Sequence, residues 1–273
     1  MDQSEILERH GVTVSGAAGR RPMLFIHGFG TDQTVWTGVA AAFTEAFRVV
    51  RFDNAGAGPR ADEFRQSDYL GLRAYAGDAL RVARALDLRD VVVVGHSAGA
   101  MVGLLAAVAE PDRFSALTLI SASPRYLDDE GYRGGFTKDD LDRLYSAMMA
   151  DYGGWADEFA LAAMRNGQRP QLALRFAEAL KAIPPERALT VLCSIFQSDH
   201  RADLAGVKCP TLIIQSSEDL AVPVDVAHYL RMNIEDSELA LIEAMGHLPH
   251  VSAPDAVAEA VRGFLAKRGL LGG

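Results

Sequence analysis

The chain has 273 residues, of which 49% are apolar and 23% are charged, values that are ordinary for a folded globular protein and exclude a disordered, collagen-like or disulfide-rich chain. Its formal net charge of −9 argues against a phosphate backbone as ligand, so we expect no nucleic-acid partner. Two cysteines, Cys193 and Cys209, are too few for a secreted disulfide framework. The acidic N-terminus lacks the apolar segment of a signal peptide, and we therefore expect a cytoplasmic protein.

Short apolar runs alternate with helical patterns along most of the chain. Runs rich in β-branched residues, several of them apolar on both faces, predict strands at residues 23–26, 49–52, 91–94, 117–120, 212–214 and 239–242. Helical patterns lie between them, at residues 69–86, Ala98–Ala109 and Pro254–Lys267. This alternation predicts an α/β fold with a mostly parallel sheet flanked by helices.

The longest apolar stretch covers residues 91–109 and is interrupted by Gly95, His96 and Ser97. The twelve residues after the interruption are too few to cross a bilayer, whereas they suit a buried helix. We therefore expect no membrane association.

The alternation of strand and helix stops between residues 123 and 207, where no strand is predicted. Helix starts are indicated by Thr137, by Pro170 and by Pro184 with Pro185. We predict a four-helix lid inserted between two core strands, with residues 1–122 and 208–273 as the core and residues 123–207 as the lid. Most of the many aromatic residues of the lid are expected to pack on the core, while some face a ligand cavity at the carboxyl edge of the sheet.

Residues 95–99 carry the strongest functional signal, Gly-His-Ser-Ala-Gly, which matches the pattern G-x-S-x-G. A predicted strand precedes it and a predicted helix follows it, which is typical of a tight turn that holds a serine in strained backbone geometry at the top of a sheet. We predict that Ser97 is a nucleophile rather than a structural serine.

A serine nucleophile needs a base, and the base needs an orienting carboxylate. In folds with this turn the chain order is Ser, then Asp or Glu, then His, and Asp219 and His247 follow predicted strands in that order. We predict that His247 is the base and Asp219 its partner, with Glu218 as the nearest rival. In the alternative interpretation, Asp219 caps a helix ahead of Pro223 and His247 is an ordinary turn histidine.

Acyl transfer also needs backbone donors for the oxyanion. We predict the amides of Ala98, directly after the nucleophile, and of Phe29, in the glycine-rich loop after the first buried strand. His27 is interpreted as a structural histidine that braces this loop. His247 and His250 have the spacing of a metal pair, but no third ligand cluster accompanies them, and we predict no metal site.

A second glycine-rich segment, residues 56–61, formally fits the dinucleotide pattern G-x-G-x-x-A. Pro59 and the polar stretch at residues 62–68 do not open the apolar helix that such a fingerprint requires. We interpret the segment as a turn, and we expect no cofactor.

Together these residues resemble the α/β-hydrolase superfamily. Within it they resemble a group that contains the RsbQ-like bacterial stress-signalling hydrolases and the plant karrikin and strigolactone receptor hydrolases. The resemblance extends over most of the chain, lid included. It is carried by residues 27–36 (HGFGTDQTVW), 52–58 (FDNAGAG), 121–126 (SASPRY), 134–136 (GGF), 195–199 (IFQSD) and 220–223 (LAVP), together with the spacing of Tyr69, Leu72 and Tyr75.

The resemblance implies an α/β-hydrolase fold with a catalytic triad of Ser97, Asp219 and His247 beneath a V-shaped lid of four helices. It also implies a closed apolar substrate pocket lined, by position within the matching motifs, by Phe29, Tyr126, Phe136, Trp155, Phe159 and Phe196. The group combines slow hydrolysis of esters or enol-ether lactones with signalling through a protein partner.

Two functions are compatible with these residues. The first is a serine hydrolase that cleaves a small apolar ester or lactone through an acyl-enzyme, without a cofactor. The second is a ligand receptor or signalling hydrolase with slow turnover and a protein partner. Carbon–carbon bond hydrolysis and perhydrolase activity stay open, because a fold does not determine a function. The natural ligand, the partner and the oligomeric state do not follow from the sequence.

Overall fold

A seven-stranded sheet runs through the computed structural model, which describes residues 2–58 and 60–271. Its strands are β1 (Thr13–Ser15), β2 (Pro22–Ile26), β3 (Arg48–Phe52), β4 (Val91–His96), β5 (Phe114–Ile120), β6 (Thr211–Glu218) and β7 (Ser237–Met245). They lie in the order β1-β3-β2-β4-β5-β6-β7, and every neighbouring pair is parallel except β1 with β3. The predicted α/β fold with a mostly parallel sheet is confirmed.

Helices cover both faces of this sheet. In chain order they are α1 (Gln3–Arg9), α2 (Thr37–Ala41), α3 (Leu72–Ala85), α4 (Ala98–Ala109), α5 (Lys138–Ala150), α6 (Tyr152–Met164), α7 (Pro170–Lys181), α8 (Pro185–Phe196), α9 (Val224–Asn233), α10 (Pro249–Ser252) and α11 (Pro254–Lys267). Apolar residues of α2 and α11 form one buried cluster with the sheet, and those of α3, α4 and α9 form the other. In the described part of the chain, no helix has both the length and the apolar character needed to cross a membrane.

The four valines of β4 show why the central strands are apolar on both faces. Val91 and Val93 belong to the cluster with α3 and α4, whereas Val92 and Val94 belong to the cluster with α2 and α11. Successive side chains of a strand point to opposite faces, so a strand covered on both sides needs an uninterrupted apolar run. The predicted strands are all present. The sequence did not predict β1, whose three residues are too few to show a period.

Four helices, α5 to α8, lie between β5 and β6, inside the interval predicted for the lid. The Thr137 hydroxyl accepts the Asp140 N–H at 3.2 Å, and the Asp140 carboxylate accepts the Thr137 N–H at 2.8 Å, so α5 begins with a capping box. Pro170 and Pro185 occupy the first positions of α7 and α8. Apolar residues of this insertion join the cluster formed by α3 and α4. The division of the chain into core and lid stays a prediction.

The glycine-rich segment after β3 forms turns. Gly56 and Gly58 have φ angles of 87° and 68°, and Ala61–Glu63 is a short 3-10 helix rather than the start of a long apolar one. Pro59 lies outside the described residues. This geometry agrees with the interpretation of the segment as a turn.

Candidate active site

Ser97 lies in the turn between β4 and α4, at the carboxyl end of the central strand. Its φ of 54° and ψ of −124° are unfavourable for a residue with a side chain, and such strain persists only where the surroundings impose it. The flanking glycines allow the turn to close. A Cβ on Gly95 would lie 2.6 Å from the Ala100 Cα, and one on Gly99 would lie 2.4 Å from the His27 carbonyl oxygen. The G-x-S-x-G pattern is therefore explained by backbone crowding on both sides of Ser97.

His247 stands between Ser97 and Asp219. Its Nε2 lies 2.9 Å from the Ser97 Oγ, and its Nδ1 lies 2.9 Å from the Asp219 Oδ2. In the neutral imidazole Nδ1–H donates to the carboxylate, which leaves Nε2 free to accept the serine proton. The three residues come from loops after β4, β6 and β7, whose carboxyl ends meet at one edge of the sheet.

The Asp219 carboxylate is held by its surroundings. Its Oδ1 accepts the N–H groups of Ala221 and Val222 at 2.8 and 3.1 Å. Burial alone would raise the pKa of Asp219, but His247 and these two amides outweigh burial and hold the pKa below its usual range. The side chain of Asp219 is 0% exposed, whereas that of its rival Glu218 is 49% exposed and pairs with Arg165 at 3.2 Å. The geometry therefore favours Asp219 over Glu218 as the partner of His247.

The loop that carries His247 is fixed from two sides. The His247 N–H donates to the carbonyl of Ala163, near the C-terminus of α6, at 2.7 Å, and the His96 Nε2–H donates to the His247 carbonyl at 2.8 Å. Burial holds the pKa of His96 well below its usual value, so its ring is neutral. Gly246 has a φ of 86°, and a Cβ there would lie 2.3 Å from the Met164 carbonyl oxygen. The insertion thus positions the backbone of the catalytic histidine candidate.

The loop after β2 contains Phe29, the second predicted oxyanion donor besides Ala98, the first residue of α4. His27 braces this loop, because its Nδ1–H donates to the Gly28 carbonyl at 2.8 Å and its Nε2 accepts the Asn54 N–H at 2.9 Å. Burial lowers the pKa of His27, so its ring stays neutral and Nε2 can accept. The role of these two amides in binding an oxyanion stays a prediction.

A cavity lies over Ser97, and we call it the catalytic cavity. It is lined mainly by apolar and aromatic side chains, namely Phe29, Tyr126, Phe159, Phe176, Leu192, Ile195, Phe196, Ala221 and Leu248, together with His96, Ser97 and His247. The Tyr126 hydroxyl lies 3.3 Å from the Ser97 Oγ, and burial raises the pKa of Tyr126, so the phenol keeps its proton. The cavity offers a small apolar ligand one phenol donor beside the serine.

Known proteins resemble this chain in sequence and in fold. Residues 23–260 match the model of the alpha/beta hydrolase family. The chain is 42% identical over 92% of its length to a probable esterase of Oryza sativa subsp. japonica, covering 93% of that protein. It is likewise 42% identical over 92% of its length to the karrikin insensitive 2 receptor CA of Petunia hybrida, covering 93% of it.

The chain belongs to the α/β hydrolase family. Its fold is also similar to the solved structure of a hydrolase from Oleispira antarctica, with a TM-score of 0.93, 30% identity, and coverage of 97% of this chain and 98% of that one. The predicted resemblance to the karrikin and strigolactone receptor group of α/β hydrolases is confirmed.

Four of the six predicted pocket residues line the catalytic cavity of this α/β hydrolase: Phe29, Tyr126, Phe159 and Phe196. The other two lie one layer behind it. Phe136 packs edge-on against the Phe196 ring with ring centres 5.0 Å apart, and Trp155 stacks on Phe159 at 5.1 Å. Both contact side chains that line the cavity but are not among its described lining residues, and the role of all six residues in substrate binding stays a prediction.

Several other lining residues were not predicted from the sequence, among them Phe176, Leu192, Ile195 and Leu248. Leu192, Ile195 and Phe196 recur at i, i+3 and i+4 along α8, so a helical face containing Phe196 could have indicated the first two. Phe176 comes from α7 and carried no such signal.

His250, which has the sequence spacing of a metal pair with His247, is buried beneath the site. Its ring packs against His96 at 4.2 Å and Trp36 at 4.5 Å between centres, and burial lowers its pKa to about 3. Within residues 2–58 and 60–271 there is no group of three His, Cys, Asp or Glu side chains placed to hold a metal ion.

Proposed function

We propose that this α/β hydrolase cleaves a small apolar ester or lactone, with Ser97 as nucleophile, His247 as general base and Asp219 as the orienting carboxylate. The observation that carries the proposal is the unbroken relay from the Ser97 Oγ through the imidazole to the Asp219 carboxylate, with both steps 2.9 Å long. The relay opens onto an apolar cavity, which suits an uncharged substrate.

The proposed reaction has two halves. As the Ser97 Oγ bonds to the substrate carbonyl carbon, its proton passes to the His247 Nε2, and Asp219 stabilises the resulting imidazolium. The amides of Ala98 and Phe29 hold the oxyanion, and His247 then gives the proton to the departing alkoxide. In the second half His247 takes a proton from water, hydroxide attacks the acyl-enzyme, and Ser97 recovers its proton as the acid leaves. No cofactor enters these steps.

The substrate class follows from the walls of the catalytic cavity. The described residues that line it include no carboxylate and no lysine or arginine, so a charged substrate would lose its hydration without gaining an ion pair. Tyr126 can donate one hydrogen bond to an ester or lactone oxygen near Ser97. We therefore propose an uncharged substrate that is apolar apart from its reacting group.

A second candidate function is that of a ligand receptor or signalling hydrolase, which the similarity to a protein named as a karrikin receptor favours. Slow turnover would then keep a ligand or acyl group in the cavity while a cytoplasmic protein partner binds the insertion. Exposed apolar side chains on α5, α6 and α7, namely Met149, Leu161 and Leu174, are candidates for that contact.

Hydrolysis of 4-nitrophenyl acetate by purified Ser97→Ala protein tests the main proposal. We expect a loss of about six orders of magnitude in kcat, because a triad acts as a unit. Ser67→Ala, at an exposed serine, is the matched control and should keep full activity. Hydrolysis at the original rate by Ser97→Ala would refute the proposal.

Turnover separates the two candidate functions. An enzyme releases many product molecules per protein, whereas a receptor stops near one, with the acyl group or ligand retained. Intact-protein mass spectrometry during the reaction distinguishes a transient Ser97 adduct from a persistent one. A persistent adduct together with a shifted melting temperature would favour the receptor.

A further inference from the structure

A second cavity lies next to the catalytic cavity, and we call it the side cavity. It is bordered by the loops after β2 and β3, the first turns of α3 and α4, and the segment from Ile183 through α8. Phe29 and Ile195 line both cavities and form the partition between them. Ser97 and His247 line only the catalytic cavity, whereas Phe29 and Ala98, the two proposed oxyanion donors, line the side cavity. The proposed chemistry uses these two residues and does not account for the rest of the side cavity.

The side cavity differs from the catalytic cavity in its charge. Leu72, Val102 and Val191 give it apolar walls, but its lining also contains Arg187, near the N-terminus of α8. Among the described residues that line it there is no aspartate or glutamate. Asp53, on the neighbouring loop, accepts two hydrogen bonds from Gln33 instead. The walls therefore supply one positive charge and no negative one.

Arg187 is held in place without being neutralised. Its guanidinium lies over the Phe64 ring at 5.7 Å, and its Nη1 donates to the Gly56 carbonyl at 3.4 Å. No carboxylate of the described residues lies within ion-pair distance of it. An oriented guanidinium at an apolar cavity suits a carboxylate, which accepts charge-assisted hydrogen bonds from its planar donors.

Two polar groups among the lining residues also have no partner within the described part of the chain. They are the hydroxyl of Tyr75, a residue that is only 5% exposed, and the Oδ1 of Asn54. Buried polar atoms usually have a hydrogen-bond partner, and a ligand with oxygen atoms can provide one.

We propose that the side cavity is a binding site for a small apolar carboxylate, with Arg187 as its charge partner. The apolar part of the ligand would pack on Leu72, Val102 and Val191. Such an acid has two possible sources: the acid released by ester hydrolysis in the adjoining cavity, or a free acid from solution. Binding itself does not require Ser97, so this proposal can be tested apart from the proposed function.

The first experiment titrates Ser97→Ala protein with phenylacetate and, separately, with the neutral isostere phenylacetamide, using calorimetry. We expect phenylacetate to bind at least about tenfold more tightly, since a charge-assisted pair is lost with the amide. Adding Arg187→Met to the Ser97→Ala protein should lower its affinity for phenylacetate about tenfold and leave its affinity for phenylacetamide unchanged. Adding Arg187→Lys instead should retain part of the preference for phenylacetate over phenylacetamide. Arg231→Met, at an exposed arginine of α9, is the matched control.

Equal binding of the two compounds, or unchanged phenylacetate affinity in the Arg187→Met protein, would overturn the proposal. Val191→Phe fills the side cavity from a half-buried position and should abolish binding of phenylacetate without lowering the melting temperature greatly. Retained affinity in Val191→Phe protein would place the ligand elsewhere and count against the site.

The second experiment separates the two cavities in wild-type protein. Phenylmethanesulfonyl fluoride attached to Ser97 fills the catalytic cavity, and phenylacetate should still bind; loss of binding would overturn the proposal. If the reagent does not attach to Ser97, the proposed function fails while the Ser97→Ala titration still decides the side cavity.

A third measurement distinguishes the sources of the acid. If phenylacetate inhibits the hydrolysis of 4-nitrophenyl phenylacetate by wild-type protein but not by Arg187→Met protein, the released acid is retained in the side cavity. Binding without inhibition indicates an acid taken from solution. Both results support the site.

Discussion

The carboxyl edge of the sheet and the helical insertion meet at the catalytic cavity, but they contribute different groups to it. The sheet edge provides the polar atoms: the Ser97 hydroxyl, the imidazole of His247 and the carboxylate of Asp219, each joined to the next by a hydrogen bond. The insertion provides apolar walls, such as Phe159 from α6 and Ile195 from α8. The proposed chemistry therefore belongs to the sheet edge, and the choice of substrate belongs mainly to the insertion.

The separation is incomplete at one point. The His247 N–H donates to the Ala163 carbonyl of α6, and Gly246 lies against the Met164 carbonyl. A movement of α6 would thus displace the imidazole as well as the wall. This contact gives the insertion a means of affecting catalysis, and substitutions on either side of it measure how far the two regions are independent.

The largest effect is expected at the sheet edge. Asp219→Asn keeps the shape of the side chain but removes the charge that stabilises the imidazolium, and it favours the wrong tautomer of His247. We expect kcat for 4-nitrophenyl acetate to fall about 10⁴-fold. Glu218→Gln is the matched control, since Glu218 is half exposed and pairs with Arg165. If Glu218→Gln has the larger effect, the assignment of the carboxylate is wrong.

The next effect is expected at the junction. Gly246→Ala places a Cβ against the Met164 carbonyl at a φ of 86°, so the loop must shift and carry His247 with it. A displacement of the base by about 1 Å is expected to lower kcat about 100-fold. Gly263→Ala, where a Cβ meets nothing within 4 Å, is the control and should leave kcat unchanged. Full activity of Gly246→Ala protein would show that the junction does not position the base.

A pH effect is expected beneath the site, where His250 is buried. The pKa of His250 falls from 6.5 to about 3 on folding because of burial, so the unfolded chain binds a proton that the native ring does not. This contribution is fully present above pH 6.5 and is lost as the pH falls toward 3. From pH 7 to pH 5 the loss is about 2 kcal/mol for this one group.

Chemical denaturation at pH 7 and at pH 5 measures this loss. Both ring nitrogens of His250 lack a partner within the described residues, so His250→Phe costs no hydrogen bond there and should reduce the pH dependence by about that amount. His228→Phe, at an exposed histidine, is the comparison. An unchanged pH dependence in His250→Phe protein would contradict the expectation.

The smallest effect is expected at the insertion wall. Phe159→Ala enlarges the catalytic cavity beside Trp155 without touching the relay. We expect the ratio of kcat/KM for 4-nitrophenyl hexanoate over the acetate to rise about tenfold, because a few methylene groups in an apolar pocket discriminate only modestly. Leu161→Ala, on the exposed face of the same helix, should leave the ratio unchanged. An equal loss of kcat/KM for both esters would mean that α6 positions His247 more than it shapes the wall of the catalytic cavity.

Local patterns in the sequence predicted most of the fold. Residues 91–94, which are apolar on both faces, predicted β4, and Thr137 and Pro170 predicted where α5 and α7 begin. These predictions succeeded because the burial of a strand and the start of a helix depend on residues that are neighbours in the sequence. Ser97, Asp219 and His247 could be predicted as a triad because folds with a G-x-S-x-G turn carry the serine, the acid and the histidine in that order along the chain. The short strand β1 was not predicted, since it is defined by its partner β3 rather than by its own pattern.

Only the tertiary structure decided which side chains reach the cavity. Phe136 and Trp155 have the same character as Phe159 and Phe196, yet they lie one layer behind, because a side chain's depth depends on helices that are distant in sequence. The contact between His247 and Ala163, and the lining of one cavity by both Arg187 and Phe29, likewise join residues from separate segments. Periodicity determines which face of an element is apolar, whereas the packing of several elements determines what that face touches.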